Sequence, residues 1–106
     1  MSVGIDIVDV SRIEQAVTRW GDRFLDKVFT EDEIRHFKNL RRIYESVAGR
    51  FAAKEAFMKA MGRRLAWKDV EVLQQGGRPF IDFQGKRYDG VSISHERSHA
   101  VSVVVI

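Results

Sequence analysis

Four ionisable residues in the run Arg50-Phe51-Ala52-Ala53-Lys54-Glu55-Ala56-Phe57-Met58-Lys59-Ala60-Met61 carry the strongest chemical signal in the chain. The run is rich in alanine, free of β-branched residues and followed by Gly62, which specifies a helix with a glycine stop. Arg50 and Lys54 are four apart, so two cations share a helix face and repel weakly. Glu55 and Lys59 are also four apart, in the attractive order. Gathered on one edge, these side chains suit a cation-assisted site for an anion, although a solvated charged face has the same pattern.

Two further features could join them. Asp6 lies inside the apolar run Val3-Gly4-Ile5-Asp6-Ile7-Val8, and Ser92-x-Ser94-His95 lies near the C-terminus. An aspartate in so apolar a strand either needs a partner or a metal, or sits at the strand end bonded to backbone amides. Two carboxylates with phosphate oxygens and water complete an octahedral Mg²⁺ site, and Mn²⁺ accepts the same donors. With Arg50, Lys54 and Lys59 to neutralise phosphate, the set suits phosphoryl transfer. Zinc is disfavoured, because no His-x₃-His or His-Glu-x-x-His pattern occurs. There is no Gly-x-Ser-x-Gly elbow, and His95 would face away from Ser94 on a strand. No glycine-rich phosphate loop is present. His95 fits an anion contact and a satisfied strand-end histidine equally well.

These residues need elements to hold them. Val3, Ile5 and Ile7 alternate with Gly4 and Asp6, as in a strand. Ser11 and Glu14 have capping-box spacing, followed by an apolar stripe of Ile13, Ala16, Val17 and Trp20, and Gly21 as a stop. Arg12, Gln15 and Arg19 lie opposite that stripe, as a docking surface for an acidic partner or as solvated charge. Asp22–Val28 reads as a short helix. Thr30 and Glu33 cap another through about Leu40, with Ile34, Phe37 and Leu40 inward and His36 on the surface. The charged helix begins near Arg41–Glu45, and Gly49 interrupts it, which points to a close approach by backbone or ligand. After Gly62 the period changes. Strands are expected at Val70–Val72, Phe80–Phe83, Val91–His95 and Ala100–Ile106, with turns at 74–79 and 84–90. Strand, helices, then a meander of strands predicts α+β with an antiparallel sheet, in which the first strand can pair beside the last.

The chain's 106 residues make one domain, 1–106, able to remove about 65% of its unfolded surface from water. It has no cysteine, which excludes disulfides, thiolate zinc and thiol catalysis and fits a reducing, cytoplasmic setting. No apolar run spans a membrane, and Met1-Ser2-Val3-Gly4 shows no signal peptide. Net charge is +3 and the pI about 9.5. The Lys and Arg are scattered, without interleaved aromatics. That favours small anions or an acidic protein over nucleic acid, although the pI also suits a small nucleic-acid-binding domain.

Three blocks together resemble the holo-[acyl-carrier-protein] synthases, the small bacterial 4′-phosphopantetheinyl transferases. They are Gly4-Ile5-Asp6-Ile7-Val8-Asp9-Val10-Ser11-Arg12-Ile13, Arg50-Phe51-Ala52-Ala53-Lys54-Glu55-Ala56-Phe57 with Lys59-Ala60-Met61-Gly62, and Val91-Ser92-Ile93-Ser94-His95-Glu96. Phe29-Thr30-x-x-Glu33 and Gly77-Arg78-Pro79 also fit. The resemblance implies the 4′-phosphopantetheinyl transferase fold and a homotrimer with active sites between subunits. It implies transfer of phosphopantetheine from coenzyme A to a serine of an apo acyl carrier protein, releasing adenosine 3′,5′-bisphosphate. By matching positions, Asp6 and Glu55 would hold the metal, and Arg50, Lys54 and Lys59 would contact coenzyme A phosphates. His95 would lie near the 3′-phosphate, and Arg12 on the helix that docks the carrier. Lys59 would stabilise the leaving phosphate, and Glu55 or a metal-bound water would take the serine proton. Fatty-acid and polyketide carriers are both open, as is a relative that only binds. Two segments depart from the pattern. Arg63-Arg64-Leu65 replaces a Gly-Thr-Gly-like loop, and Gln84–Gly90 replaces a longer helix-bearing segment. Both bear on the coenzyme grip, trimer packing and choice of carrier.

Overall fold

The computed structural model describes all residues, Met1–Ile106. A long helix, α4 (Ile43–Met61, 19 residues), organises it. Its face of small residues, Ala52, Ala53, Ala56 and Ala60, is buried. Gly62, in the left-handed region, ends it by donating its N–H to the carbonyls of Met58 and Lys59. Gly49 does not interrupt the helix. A Cβ there would stand 2.9 Å from Cγ2 of Ile93, so the close approach is by a strand side chain.

Before α4 come β1 (Val3–Asp9), α1 (Val10–Trp20), α2 (Asp22–Val28) and α3 (Glu31–Lys38). After a 3₁₀ turn at Trp67–Asp69 follow β2 (Val70–Gln75), β3 (Arg78–Phe83), β4 (Lys86–Tyr88), β5 (Val91–His95) and β6 (His99–Val105). The α+β expectation holds, but the strands form two antiparallel sheets, ordered β1-β6-β5 and β2-β3-β4. The chain reverses between β2 and β3 at Gly76-Gly77, both at positive φ, as a two-residue hairpin requires. The expected turn at 84–90 instead contains β4, because Gln84 and Gly85 reverse the chain in two residues. As expected, β1 pairs with β6, with Gly4 opposite Val104 and Asp6 opposite Ser102.

Local signals held at the helix ends more often than at their faces. Thr30 and Glu33 form the reciprocal capping box of α3. The cap of α1, in contrast, is Asp9, whose carboxylate accepts from the N–H and hydroxyl of Ser11. Ser11 therefore belongs to the first turn and no Ser11–Glu14 box forms. Trp20 is 48% exposed, with Arg19 over its ring, and Leu40 lies beyond α3 and is 37% exposed. Both apolar stripes run past the point where their helix leaves the core. His36 is half-buried beside Phe37 rather than on the surface.

The core contains one buried ion pair. Lys54 Nζ has no exposed surface and donates to Glu33 Oε1 (2.8 Å), the carbonyl of Trp67 (2.9 Å) and the carbonyl of Val70 (2.7 Å). All three ammonium donors are thus spent inside the protein. Glu33 also accepts from the N–H groups of Thr30 and Val72, so one pair ties α3, α4 and β2 together. Burial pulls the Lys54 pKa down, and the charge of Glu33 opposes it. A buried pair loses most when one partner is removed, since the other stays charged and dry. We expect Lys54→Met to cost about 3–5 kcal/mol in urea unfolding; a loss below about 1 kcal/mol would show the pair to be dispensable.

His36 supplies a pH signature. Its pKa is held below the ordinary 6.5, first by desolvation and then by the charge of Arg50. The unfolded chain therefore takes up this proton more readily, and protonation costs stability as pH falls through and below 6.5. A His36→Gln variant should gain stability relative to the parent when pH drops from about 7.5 to about 5. Parallel thermal melts check this, and a constant difference across that range would contradict it.

Candidate active site

Asp6 and Glu55, 49 positions apart in sequence, line one groove of about 300 Å³. Asp6 reaches it because it shares a strand face with Gly4, which packs directly on α4. Glu55 reaches it from α4, about 100° around the helix from Lys54. Arg12 of α1 stands at the groove, and Phe24 and Phe51, stacked 6.5 Å apart, form its apolar wall.

Each carboxylate already holds a cation. Lys59 Nζ donates to Asp6 Oδ1 at 3.1 Å and to the carbonyl of Ile5 at 2.9 Å. The spacing Glu55–Lys59 had suggested a pair within the helix; Lys59 reaches across to β1 instead. Glu55 is taken by Arg64, whose Nη1 and Nη2 donate to Oε2 at 3.0 Å and Oε1 at 3.4 Å. Desolvation raises the pKa of Asp6, Lys59 counteracts it, and the charge of Glu55 adds to the rise. An acid whose charge is disfavoured by burial and by a neighbouring carboxylate is a place that would welcome a dication.

The donor set fits a hard divalent ion. Both acids in the groove are carboxylates, and no cluster of three or more His, Cys, Asp or Glu exists. Zinc would seek such nitrogen or sulfur ligands, whereas Mg²⁺ or Mn²⁺ accepts two carboxylates and takes its other ligands from substrate and water. Asp6 and Glu55 are the residues that would hold it.

The other sequence candidates lie elsewhere. Lys54 was expected to meet a phosphate; its burial and three internal bonds remove it from any ligand surface. Arg50 and Glu55, five residues apart, project about 140° apart around the helix. Arg50 lines a second, smaller cleft of about 130 Å³ with Ser46, Gly49, Gln74 and His95. It is only 4% exposed, and its Nη1 is buried without a hydrogen-bond partner. Burial lowers its pKa, and Glu33 opposes this at a distance. A desolvated guanidinium donor without a partner, facing a polar cleft, is a feature that an anion would satisfy. His95 joins it there, with Nδ1 2.9 Å from Glu45 Oε1. Ser92, Ser94 and His95 therefore do not converge with Asp6 and Glu55, contrary to the expectation from sequence.

Sequence reasoning missed Arg64 and Glu45. Arg64 was visible only as part of a shortened loop, and nothing in that loop's spacing pointed back to Glu55. Glu45 is one of many acids at a helix start, and its tie to His95 spans fifty positions.

The family model of the 4′-phosphopantetheinyl transferase superfamily matches residues 2–104. A holo-[acyl-carrier-protein] synthase of Halothermothrix orenii is 43% identical, over 97% of this chain and 94% of its own length. That of Chloroherpeton thalassium is 44% identical, over 100% and 97%. Among solved structures, the holo-(acyl-carrier-protein) synthase of Bacillus anthracis in complex with CoA (3′,5′-ADP) superposes with a TM-score of 0.85 at 37% identity, covering 97% of this chain and 92% of that one. The Helicobacter pylori enzyme in complex with coenzyme A gives 0.86 at 31%, covering 97% of each. With α+β architecture, full-length coverage and identities well above those that show fold alone, the chain belongs to the 4′-phosphopantetheinyl transferase superfamily, among the holo-[acyl-carrier-protein] synthases.

Proposed function

We propose that this chain transfers 4′-phosphopantetheine from coenzyme A to a serine of an apo acyl carrier protein, with a divalent cation held by Asp6 and Glu55. The observation that carries the reading is the meeting of those two carboxylates in one groove with Arg12 at its edge. The serine oxygen of the carrier attacks the phosphorus that bears the pantetheine. A P–O bond to the second phosphate breaks, and adenosine 3′,5′-bisphosphate leaves. The cation, when bound, neutralises charge on the diphosphate. Lys59 spends two donors on Ile5 and Asp6 and keeps a third for the leaving phosphate. The serine proton passes to Glu55 or to water in the open groove. No serine of this chain lines the groove, in keeping with a nucleophile that arrives on the partner. Arg12, exposed on α1, suits an acidic carrier.

The second cleft takes a place in the same reading. Arg50 and His95 line it, no residue lines both it and the groove, and coenzyme A carries phosphates at both ends of its nucleotide. In a homotrimer, the groove of one copy and the Arg50 cleft of its neighbour together hold one coenzyme. The surface for such an assembly is the outer face of β1 and β6. Val3 (59%), Ile5 (58%), Ile7 (66%) and Val105 (40%) are exposed there on neighbouring strands. A contiguous apolar face of this kind marks an interaction surface. No helix is long and apolar enough to cross a membrane, and a cysteine-free chain suits the reducing cytoplasm.

Two measurements test this. Glu55→Gln should lower Mg²⁺-dependent transfer, read as the mass gain of the carrier, by about 100-fold or more, while circular dichroism stays that of the parent. Transfer at the parental rate would refute the metal assignment. Ile5→Lys should convert the trimer to monomer in size-exclusion chromatography with light scattering. A parent that is already monomeric at tens of micromolar would refute the assembly.

A further inference from the structure

Resting on the divalent-cation reading of Asp6 and Glu55, we infer that Arg64 is a built-in competitor for Glu55 that sets how much divalent cation the site requires. The protein offers this ion two carboxylates and no third His, Cys, Asp or Glu side chain. Arg64 engages both oxygens of one of them, in the parallel fork that arginine forms with a carboxylate. A cation that binds either oxygen of Glu55 draws on the same negative charge that holds the guanidinium and weakens those bonds. Guanidinium and metal ion therefore cannot both have Glu55 in full, and their affinities for it oppose each other.

The contact is built to yield rather than to lock. Arg64 follows the glycine stop of α4 by two residues, so the helix end sets its starting point. Its guanidinium rests 5.4 Å from the centroid of Trp67, which steadies it beside Glu55. Its side chain is 66% exposed, whereas that of Glu55 is 19% exposed. An ion pair with one partner in water contributes little, so an ion arriving with a diphosphate prevails over it. The contrast with Lys54 is instructive. Lys54 is as close to its carboxylate, but it is fully buried and has no route out. Lys59 differs as well, because the Ile5 carbonyl gives it a second anchor that remains if Asp6 turns to a metal. Arg64 has no acceptor besides Glu55. Once displaced, it becomes a free cation beside the groove.

The test measures binding of Mn²⁺ alone, without coenzyme A or carrier, from the electron paramagnetic resonance signal of the free ion. Arg64→Gln should bind Mn²⁺ about two- to fivefold more tightly than the parent, the range expected for loss of one exposed ion-pair competitor. Arg64→Lys keeps a charge but not the fork and should fall between the two. Glu55→Gln is the control and should lose Mn²⁺ binding. If Arg64→Gln binds Mn²⁺ no more tightly than the parent while Glu55→Gln abolishes binding, the competitor role is wrong and the metal site stands. If Glu55→Gln binds Mn²⁺ as the parent does, the metal site is wrong and the competitor role falls with it.

Discussion

The contact between β1 and α4 at Gly4 is the constraint on which this structure turns. A Cβ on Gly4 would lie 1.8 Å from the carbonyl oxygen of Ala56 and 2.8 Å from the backbone nitrogen of Ala60. Only glycine on the strand and alanines on the helix allow two backbones so close. Asp6 follows Gly4 by two residues and so occupies the same face of the pleat. Glu55 precedes Ala56 by one and so stands at the margin of the contact. The distance between the acids is thus set by backbone packing, not by the acids themselves, which repel. Two carboxylates that oppose one another need such external fixing.

The second determinant is the sorting of charge around α4. Lys54 and Glu33 neutralise one another within the core, which lets a helix bearing four charges in ten positions lie almost wholly buried. That pair spans three elements and anchors the helix about a quarter-turn from Glu55. Arg50, one turn earlier, has no such partner for Nη1 and rests against the ring of Phe37 at 5.4 Å. The same run therefore holds a cation paired inside the core and one whose buried Nη1 has no hydrogen-bond partner. Type and spacing alone could not separate them, because both are long cations on a helix rich in alanine.

That difference explains what was legible in the sequence. The element order, the Thr30 capping box, the Gly62 stop and the pairing of β1 with β6 follow from local chemistry and period, and all are present. The meeting of Asp6 and Glu55 was also readable, since an acid in an apolar strand and an acid on an alanine-rich helix each call for a reason. What escaped depends on long-range geometry. The burial of Lys54 is decided by Glu33 and by carbonyls of the Trp67 turn and Val70. The separation of His95 from the carboxylates is decided by which side of α4 receives β5. The split into two sheets rests on two-residue turns at Gly76-Gly77 and Gln84-Gly85, short enough to let β2, β3 and β4 form a sheet of their own.

Strand alternation then forces a trade that bears on assembly. Because successive side chains point to opposite faces, placing Gly4 and Asp6 against α4 sends Val3, Ile5 and Ile7 outward. Across the ladder, Val101, Val103 and Val105 are turned outward in register with them. A slip of one residue would bury those side chains, but it would also turn Gly4 and Asp6 to solvent and dismantle the groove. The chain therefore keeps its site at the expense of an apolar sheet face that its own helices do not cover. Under the proposed assembly, a neighbouring copy would cover that face and bring its Arg50 cleft to the groove. The position of Asp6 and the exposure of this apolar face thus follow from a single choice of register.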